Sequence, residues 1–192
     1  MKILIITATD FELDKNQFSN HEMLISGIGI LETALKLTKK LTSNNYDLVI
    51  NTGIAGSFNK DIKIGDVVEV TEDILSEIGY EENENFFEFK SFTVSNKFTV
   101  DSKTDLLKVK SITVNTVSGN LASINKIKKR LNPDIETMEG AAIFRVCNDF
   151  DIPCIQIRSI SNIVGERNKK HWNIDLAVKN LNLSLKNIIN SL

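Results

Sequence analysis

The chain has 192 residues, 42% hydrophobic and 25% charged, with a formal net charge of −2. That is long enough for one domain with a sizeable core, and the near-neutral balance leaves no basic stripe for a nucleic-acid backbone. The apolar opening Met1-Lys2-Ile3-Leu4-Ile5-Ile6 stops too soon for a membrane span or a secretory signal, so a cytoplasmic protein is expected, with no membrane partner. Two cysteines, Cys147 and Cys154, and two histidines, His21 and His171, show no metal-ligand spacing, so neither a metal nor another cofactor is expected.

In chain order, residues 2–8 read as a buried strand that runs into Thr9-Asp10-Phe11-Glu12 and leaves Glu12 at a strand-to-loop edge. Residues 22–26 form a short strand closed by Ser26-Gly27-Ile28-Gly29. With Glu32 where a dinucleotide fingerprint needs glycine, the two glycines mark a tight strand-to-helix turn instead. Apolar residues at 31, 34, 35, 37 and 41 then follow helical periodicity. Tyr46-Asp47-Leu48-Val49-Ile50 is a second buried strand. After it, Asn51 to Ser57 reads as a loop whose Gly53 and Gly56 free the backbone to approach an anion or a sugar oxygen. Gly65-Asp66-Val67-Val68 marks a turn and another strand.

Residues 76–92 are acidic and aromatic together. Phe86, Phe87, Phe89 and Phe92 are too many for a solvated loop and are expected to pack on the core, a partner chain or a substrate. A strand over 111–118 and a helix over 123–131 follow, the helix stopped by Asn132-Pro133. The basic run from Lys126 to Arg130 reads as that helix's solvated face and C-terminal end. A strand ending in Thr137-Met138-Glu139, a helix over 140–149 and a strand over 153–159 come next, and Trp172 to Leu192 forms a final amphipathic helix. Strands and helices alternate throughout, which predicts one α/β domain, residues 1–192, with a mainly parallel or mixed sheet. A carboxylate (Glu139), an arginine (Arg158) and an amide (Asn162) then gather at neighbouring strand ends, where ligands bind in open α/β sheets. The competing reading is structural: Glu139 caps the helix and Arg158 pairs with it.

Three blocks, in order, carry a resemblance: Ala8-Thr9-Asp10-Phe11-Glu12; Asn51-Thr52-Gly53-Ile54-Ala55-Gly56 followed by Gly65-Asp66-Val67; and Met138-Glu139-Gly140 with Arg158-Ser159-Ile160-Ser161-Asn162. As an ordered set they resemble the nucleoside phosphorylase/hydrolase superfamily, and within it the nucleosidases that hydrolyse N-glycosidic bonds. The short N-terminal region, Ile78-Gly79-Tyr80-Glu81-Glu82, and Ser161-Asn162-Ile163-Val164-Gly165-Glu166-Arg167 with Trp172 beyond are similar to the futalosine hydrolase branch.

The resemblance implies a three-layer α/β/α fold around a mixed twisted sheet, and a homo-oligomer with the aromatic segment 86–92 as a candidate contact. It implies a purine nucleoside partner, made of hypoxanthine, ribose and a 5′-linked benzoate-bearing arm, cleaved by water in a step towards menaquinone. It implies Glu12 as general base on water, Glu139 as acceptor for the ribose hydroxyls and Met138 against the ribose face. Arg158 would orient the carboxylates and water or else only pin the strands, and with Ile54, Gly56 and Ser161 it joins the substrate-binding set.

Asn162 stands where adenosine-type relatives carry Asp. Its N–H suits the 6-oxo group of hypoxanthine and its C=O a protonated N7, and the proton for the base would arrive through water. Ile54 replaces the Ser of methylthioadenosine-type relatives, leaving backbone groups to hold water or ribose. The loop after Ser118 lacks their stacking aromatic, for which Leu121 or a phenylalanine of 86–92 is a substitute. The rival readings are an adenine-releasing nucleosidase, a phosphorolytic enzyme and a non-catalytic nucleoside binder. Phosphorolysis needs an N-terminal arginine for phosphate, and residues 1–35 contain none.

Overall fold

A computed structural model describes residues 1–89, 95–166 and 168–192; Phe92 and Arg167 fall outside the described residues. The strands are β1 (Ile3–Thr7), β2 (Glu22–Ile25), β3 (Leu48–Ser57), β4 (Val67–Leu75), β5 (Tyr80–Glu82), β6 (Asn85–Phe87), β7 (Lys97–Thr99), β8 (Leu107–Thr113), β9 (Ile135–Thr137) and β10 (Cys154–Ile163). The helices are α1 (Ile30–Ser43), α2 (Leu121–Leu131), α3 (Gly140–Asp149) and α4 (Ile174–Ser191), with short 3-10 turns at Asp10–Glu12 and Lys169–His171.

Among the described residues, eight strands form one sheet in the order β10-β4-β8-β9-β3-β1-β2, with β7 on the edge of β4. Because β10 also pairs with β3, the strands β3, β10, β4, β8 and β9 close into a ring. The sheet is mixed. β1 runs parallel to β2 and β3, and β3 parallel to β10, whereas β10 and β4 are antiparallel, as are β3 and β9.

The continuous apolar reading of β1 has a simple cause: both of its faces are buried. Leu4 and Ile6 pack with Leu37 and Leu41 of α1 and with Ile143, Phe144 and Cys147 of α3. Ile3 and Ile5 pack on the other face with Leu181, Leu185 and Ile188 of α4. The layers are thus α1 and α3, the sheet, and α4, as expected. A third cluster seats α2, through Ile124 and Leu131, on Phe58, Ile74 and Ile112. Cys147 and Cys154 are buried free thiols.

Three expectations need correction. The segment from Asn51 to Ser57 is not a loop: β3 runs straight through Gly53 and Gly56, hydrogen-bonded to β10 along its length. The strand expected at 111–118 is β8, which ends at Thr113, because its partner β9 ends at Thr137 and offers nothing further to pair with. The basic run of α2 is not all solvated. Arg130 lies 3.9 Å over the Phe86 ring and its Nη2 donates to Ser76 O at 2.7 Å, so it clamps the β5–β6 hairpin. On that hairpin Tyr80 and Phe87 stack, ring centroids 5.5 Å apart, and both stay partly exposed.

Gly140 opens α3 where no side chain fits. A Cβ there would sit 2.2 Å from Asp73 Oδ2 and 2.3 Å from Gln156 Oε1, both fully buried. Gly140→Ala is expected to lower the unfolding free energy by about 1–3 kcal/mol, the usual cost of overpacking a core, read from urea midpoints at constant m-value.

Candidate active site

Glu12 lies in the 3-10 turn that follows β1. It was expected at a strand edge, yet it is only 5% exposed. Its Oε2 accepts from Thr7 Oγ1 (3.0 Å), Thr9 N (3.0 Å) and Thr9 Oγ1 (2.7 Å), and its Oε1 accepts from Ile54 N (3.1 Å). The acid is therefore fixed by four donors, one from the end of β1, two from the residue that caps its turn and one from β3. Ile54 spends its backbone N–H on Glu12, so that group is not the free donor for water or ribose expected from the sequence.

Glu139 occupies the N-cap position of α3 but makes no capping bond. The first N–H groups of the helix go instead to hydroxyls: Gly140 N to Thr137 Oγ1 (3.3 Å) and Ala141 N to Thr113 Oγ1 (2.8 Å). Released from capping, Glu139 takes a hydrogen bond through Oε1 from Gly29 N (2.9 Å). Gly29 has φ of 96° and precedes α1, so a residue free of Cβ strain turns its N–H towards the acid. Burial pushes the Glu139 carboxyl above its usual range; the Gly29 bond and the charge of Arg158 oppose this, and the nearby charge of Glu12 adds to it.

Arg158 stands behind both acids, 2% exposed. Its Nη2 donates to Asn51 Oδ1 and, at 3.1 Å, to Gln156 Oε1. Gln156 in turn donates to Asp73 Oδ2 (2.9 Å), and Thr113 donates to Asp73 Oδ1 (2.8 Å). Among the described residues no ion pair within 4.0 Å involves Arg158, so the salt bridge to Glu139 does not form. Burial lowers the proton affinity of its guanidinium, against the nearby charges of Glu139, Glu12 and Asp73. Gly53 makes the approach possible: a Cβ there would fall 2.8 Å from Arg158 Nη1 and 3.0 Å from Glu12 Oε1.

At the far end of β10 a register shift between Ile160 and Asn162 brings Asn162 opposite Gly56. A regular strand sends consecutive side chains to opposite faces; at this irregularity Ser161 and Asn162 both reach the same cavity. Ser161 Oγ donates to Asn162 Oδ1 at 2.8 Å, and Asn162 Nδ2 donates to Ile163 O at 3.4 Å, which leaves the second hydrogen of the amino group as the donor offered to a ligand.

These elements enclose a cavity of about 370 Å³. Of the eight residues singled out in the sequence, Glu12, Ile54, Gly56, Met138, Glu139, Ser161 and Asn162 line it, and Arg158 does not. Arg158 was expected to touch substrate and instead supports the acids from behind. The substitutes suggested for the stacking aromatic do not reach the wall either: Leu121, Phe86, Phe87 and Phe89 lie outside it. The apolar wall comes from Phe11, Ile28, Val117, Met138, Ile163 and Trp172. Sequence reasoning also passed over Glu136, which lines the cavity at 6% exposure. An acid at an inward position of a buried strand was the signal that marked it.

A family model for the phosphorylase superfamily matches residues 20–192, and the chain belongs to that superfamily. The 5′-methylthioadenosine/S-adenosylhomocysteine nucleosidase of Psychromonas ingrahamii is 27% identical over 213 residues, spanning 100% of this chain and 90% of that protein. The enzyme of the same name from Bacillus thuringiensis subsp. konkukian is 28% identical over 177 residues, spanning 83% and 76%. Among solved structures, the Helicobacter pylori nucleosidase with butyl-thio-DADMe-Immucillin-A superposes with a TM-score of 0.87 at 19% identity, covering 100% of this chain and 99% of that one. Native futalosine hydrolase of Helicobacter pylori superposes at 0.86 with 18% identity, covering 100% and 98%. The nucleoside phosphorylase-like α/β fold with a mixed sheet is thereby borne out.

Burial raises the Asp73 carboxyl to about 6, against its bonds from Gln156 and Thr113. A carboxyl raised on folding holds its proton in the native state while the unfolded chain has lost it, so its contribution falls as pH climbs from about 4 to about 6. Wild type is expected to lose up to about 3 kcal/mol relative to Asp73→Asn across that window, measured as the difference between their urea-unfolding free energies at each pH.

Proposed function

We propose that the chain hydrolyses the N-glycosidic bond of futalosine, releasing hypoxanthine and the dehypoxanthinyl sugar. In its coarser form the activity stands plainly: the chain is an N-glycosyl hydrolase, with relatives named nucleosidases over 100% and 83% of its length. The observation that carries the finer reading is Asn162. Its Oδ1 is engaged by Ser161, and its Nδ2 keeps one hydrogen beyond the bond to Ile163 O, so the amide offers a base a donor, which suits a 6-oxo group and opposes the 6-amino group of adenine. The superposition on a futalosine hydrolase is further support.

In this reading Glu12 takes a proton from the attacking water. Four donors hold its carboxylate in one orientation, as a general base requires. Glu139 accepts from the ribose hydroxyls, and its charge favours the oxocarbenium-like sugar. Met138 lies against the ribose, and Gly56 and Ser161 shape the base end. Arg158 keeps the acids in place without touching substrate. The apolar wall of Phe11, Ile28, Ile163 and Trp172 suits an aromatic 5′ arm. A homo-oligomer belongs to the same proposal. Ile28, Leu31 and Leu35 are each at least 60% exposed beside the cavity and form a better candidate contact than the aromatic hairpin.

The second reading, adenine release from methylthioadenosine, is favoured by the names of the sequence relatives. Incubation with futalosine, inosine and methylthioadenosine, with and without phosphate, separates the two. The expected result is phosphate-independent hypoxanthine release, fastest from futalosine; faster adenine release from methylthioadenosine would replace this reading with the other. Glu12→Gln is expected to lower kcat by about a hundredfold or more while equilibrium dialysis still detects bound nucleoside. Asn162→Asp is expected to lower kcat/KM on the hypoxanthine nucleoside and raise it on adenine nucleosides, and an unchanged ratio of the two would remove the role given to the amide.

A further inference from the structure

A base that leaves a sugar needs a proton, and the amide of Asn162 has none to give. We propose that Glu136 is the acid that protonates the leaving base, an assignment that rests on the nucleosidase reading of the cavity.

The geometry carries it. Glu136 lines the cavity that holds Glu12 and Glu139 and is 6% exposed. In the ring of strands it pairs with Gly56 from β9, while Asn162 pairs with the same glycine from β10. A Cβ on Gly56 would lie 3.1 Å from Asn162 Nδ2 and 3.6 Å from Glu136 Cγ, so amide and acid flank one bare Cα. The backbone N–H of Ser118 donates to the Glu136 carboxyl, 3.1 Å from Oε1 and 3.4 Å from Oε2. Among the described residues no ion pair fixes its charge. Burial raises its proton affinity, against the bonds from Ser118, which favours the protonated form an acid must start from. Of the other titratable groups on the wall besides Glu12 and Glu139, Glu166 and His171 are exposed.

A 6-oxopurine presents O6 and N7 as adjacent acceptors. Asn162 Nδ2 donates to O6 and the Glu136 carboxyl to N7. As the C1′–N9 bond opens, its electron pair moves onto the base and the Glu136 proton passes to N7. The water oxygen bonds to C1′ and its proton passes to Glu12. The products are a neutral base and a free sugar, and solvent then returns one proton from Glu12 to Glu136.

The test compares leaving groups. Glu136→Gln is expected to lower kcat on the hypoxanthine nucleoside by about a hundredfold or more, but on 4-nitrophenyl β-D-riboside, whose phenolate leaves unprotonated, by less than about tenfold. Glu12→Gln, which removes the base for water, is expected to impair both. If wild type does not accept the aryl riboside, the 7-methylated nucleoside, whose base departs from a cationic ring, takes its place. Equal losses of Glu136→Gln on both kinds of substrate mean a structural role and overturn the proposal, as does wild-type activity on both. Wild type inert towards every nucleoside overturns the nucleosidase reading itself, and this assignment with it.

Discussion

A single guanidinium sets the terms of this site. Arg158 is buried in the middle of β10, and taking a full charge out of water costs several kcal/mol unless bonds and opposite charges offset it. The side chains of Asn51 and Gln156 accept from it, and the carboxylates of Glu139, Glu12 and Asp73 surround it at longer range. Much of the local sequence follows from that need. Gly53 is bare because Arg158 and Glu12 lie over its Cα, and Gly140 is bare because Asp73 and Gln156 lie over its own. Two threonines cap α3 so that Glu139 is left to face the cavity.

The cavity above that charge is divided by chemistry. One end holds Glu12 and Glu139 at fixed positions, the two acids that the proposed reaction sets against a sugar that becomes cationic. The other end holds a neutral amide and a buried carboxyl around Gly56, the pair to which the proposed reaction gives the reading and release of the base. The closed ring of strands makes this possible. Because β10 and β9 both pair with β3 near Gly56, residues from two strands distant in sequence meet over one glycine. Without the β10–β3 pairing, β9 would remain beside β3 while β10 became an edge strand, and Asn162 would no longer meet Glu136 at Gly56.

The parts legible in advance were those that depend on local pattern. The apolar run of β1, the periodicity of α1, the Asn132-Pro133 stop of α2 and the span of α3 could all be read directly, because burial on both faces of a strand or on one stripe of a helix writes itself into composition. The stretch around Gly53 and Gly56 misled, since glycines usually break strands. Here they relieve crowding by side chains from elsewhere in the chain, and no local rule reports that. Arg130 misled in the same way: a basic run on a helix usually faces water, and only the hairpin folded beneath it supplied an aromatic ring and a carbonyl.

By itself the sequence determined the class of fold and the family to which the chain belongs, and it singled out the acids and the amide that line the cavity. Those follow from residue types in a fixed order, which survive any uncertainty about distance. Only the tertiary structure decided which of the residues singled out line the cavity. It moved Arg158 from the wall to the support behind it, turned Glu139 away from its helix, and brought Glu136 beside Asn162. Each of these outcomes is settled by a strand register or a competing hydrogen bond, and both depend on residues far away in the chain.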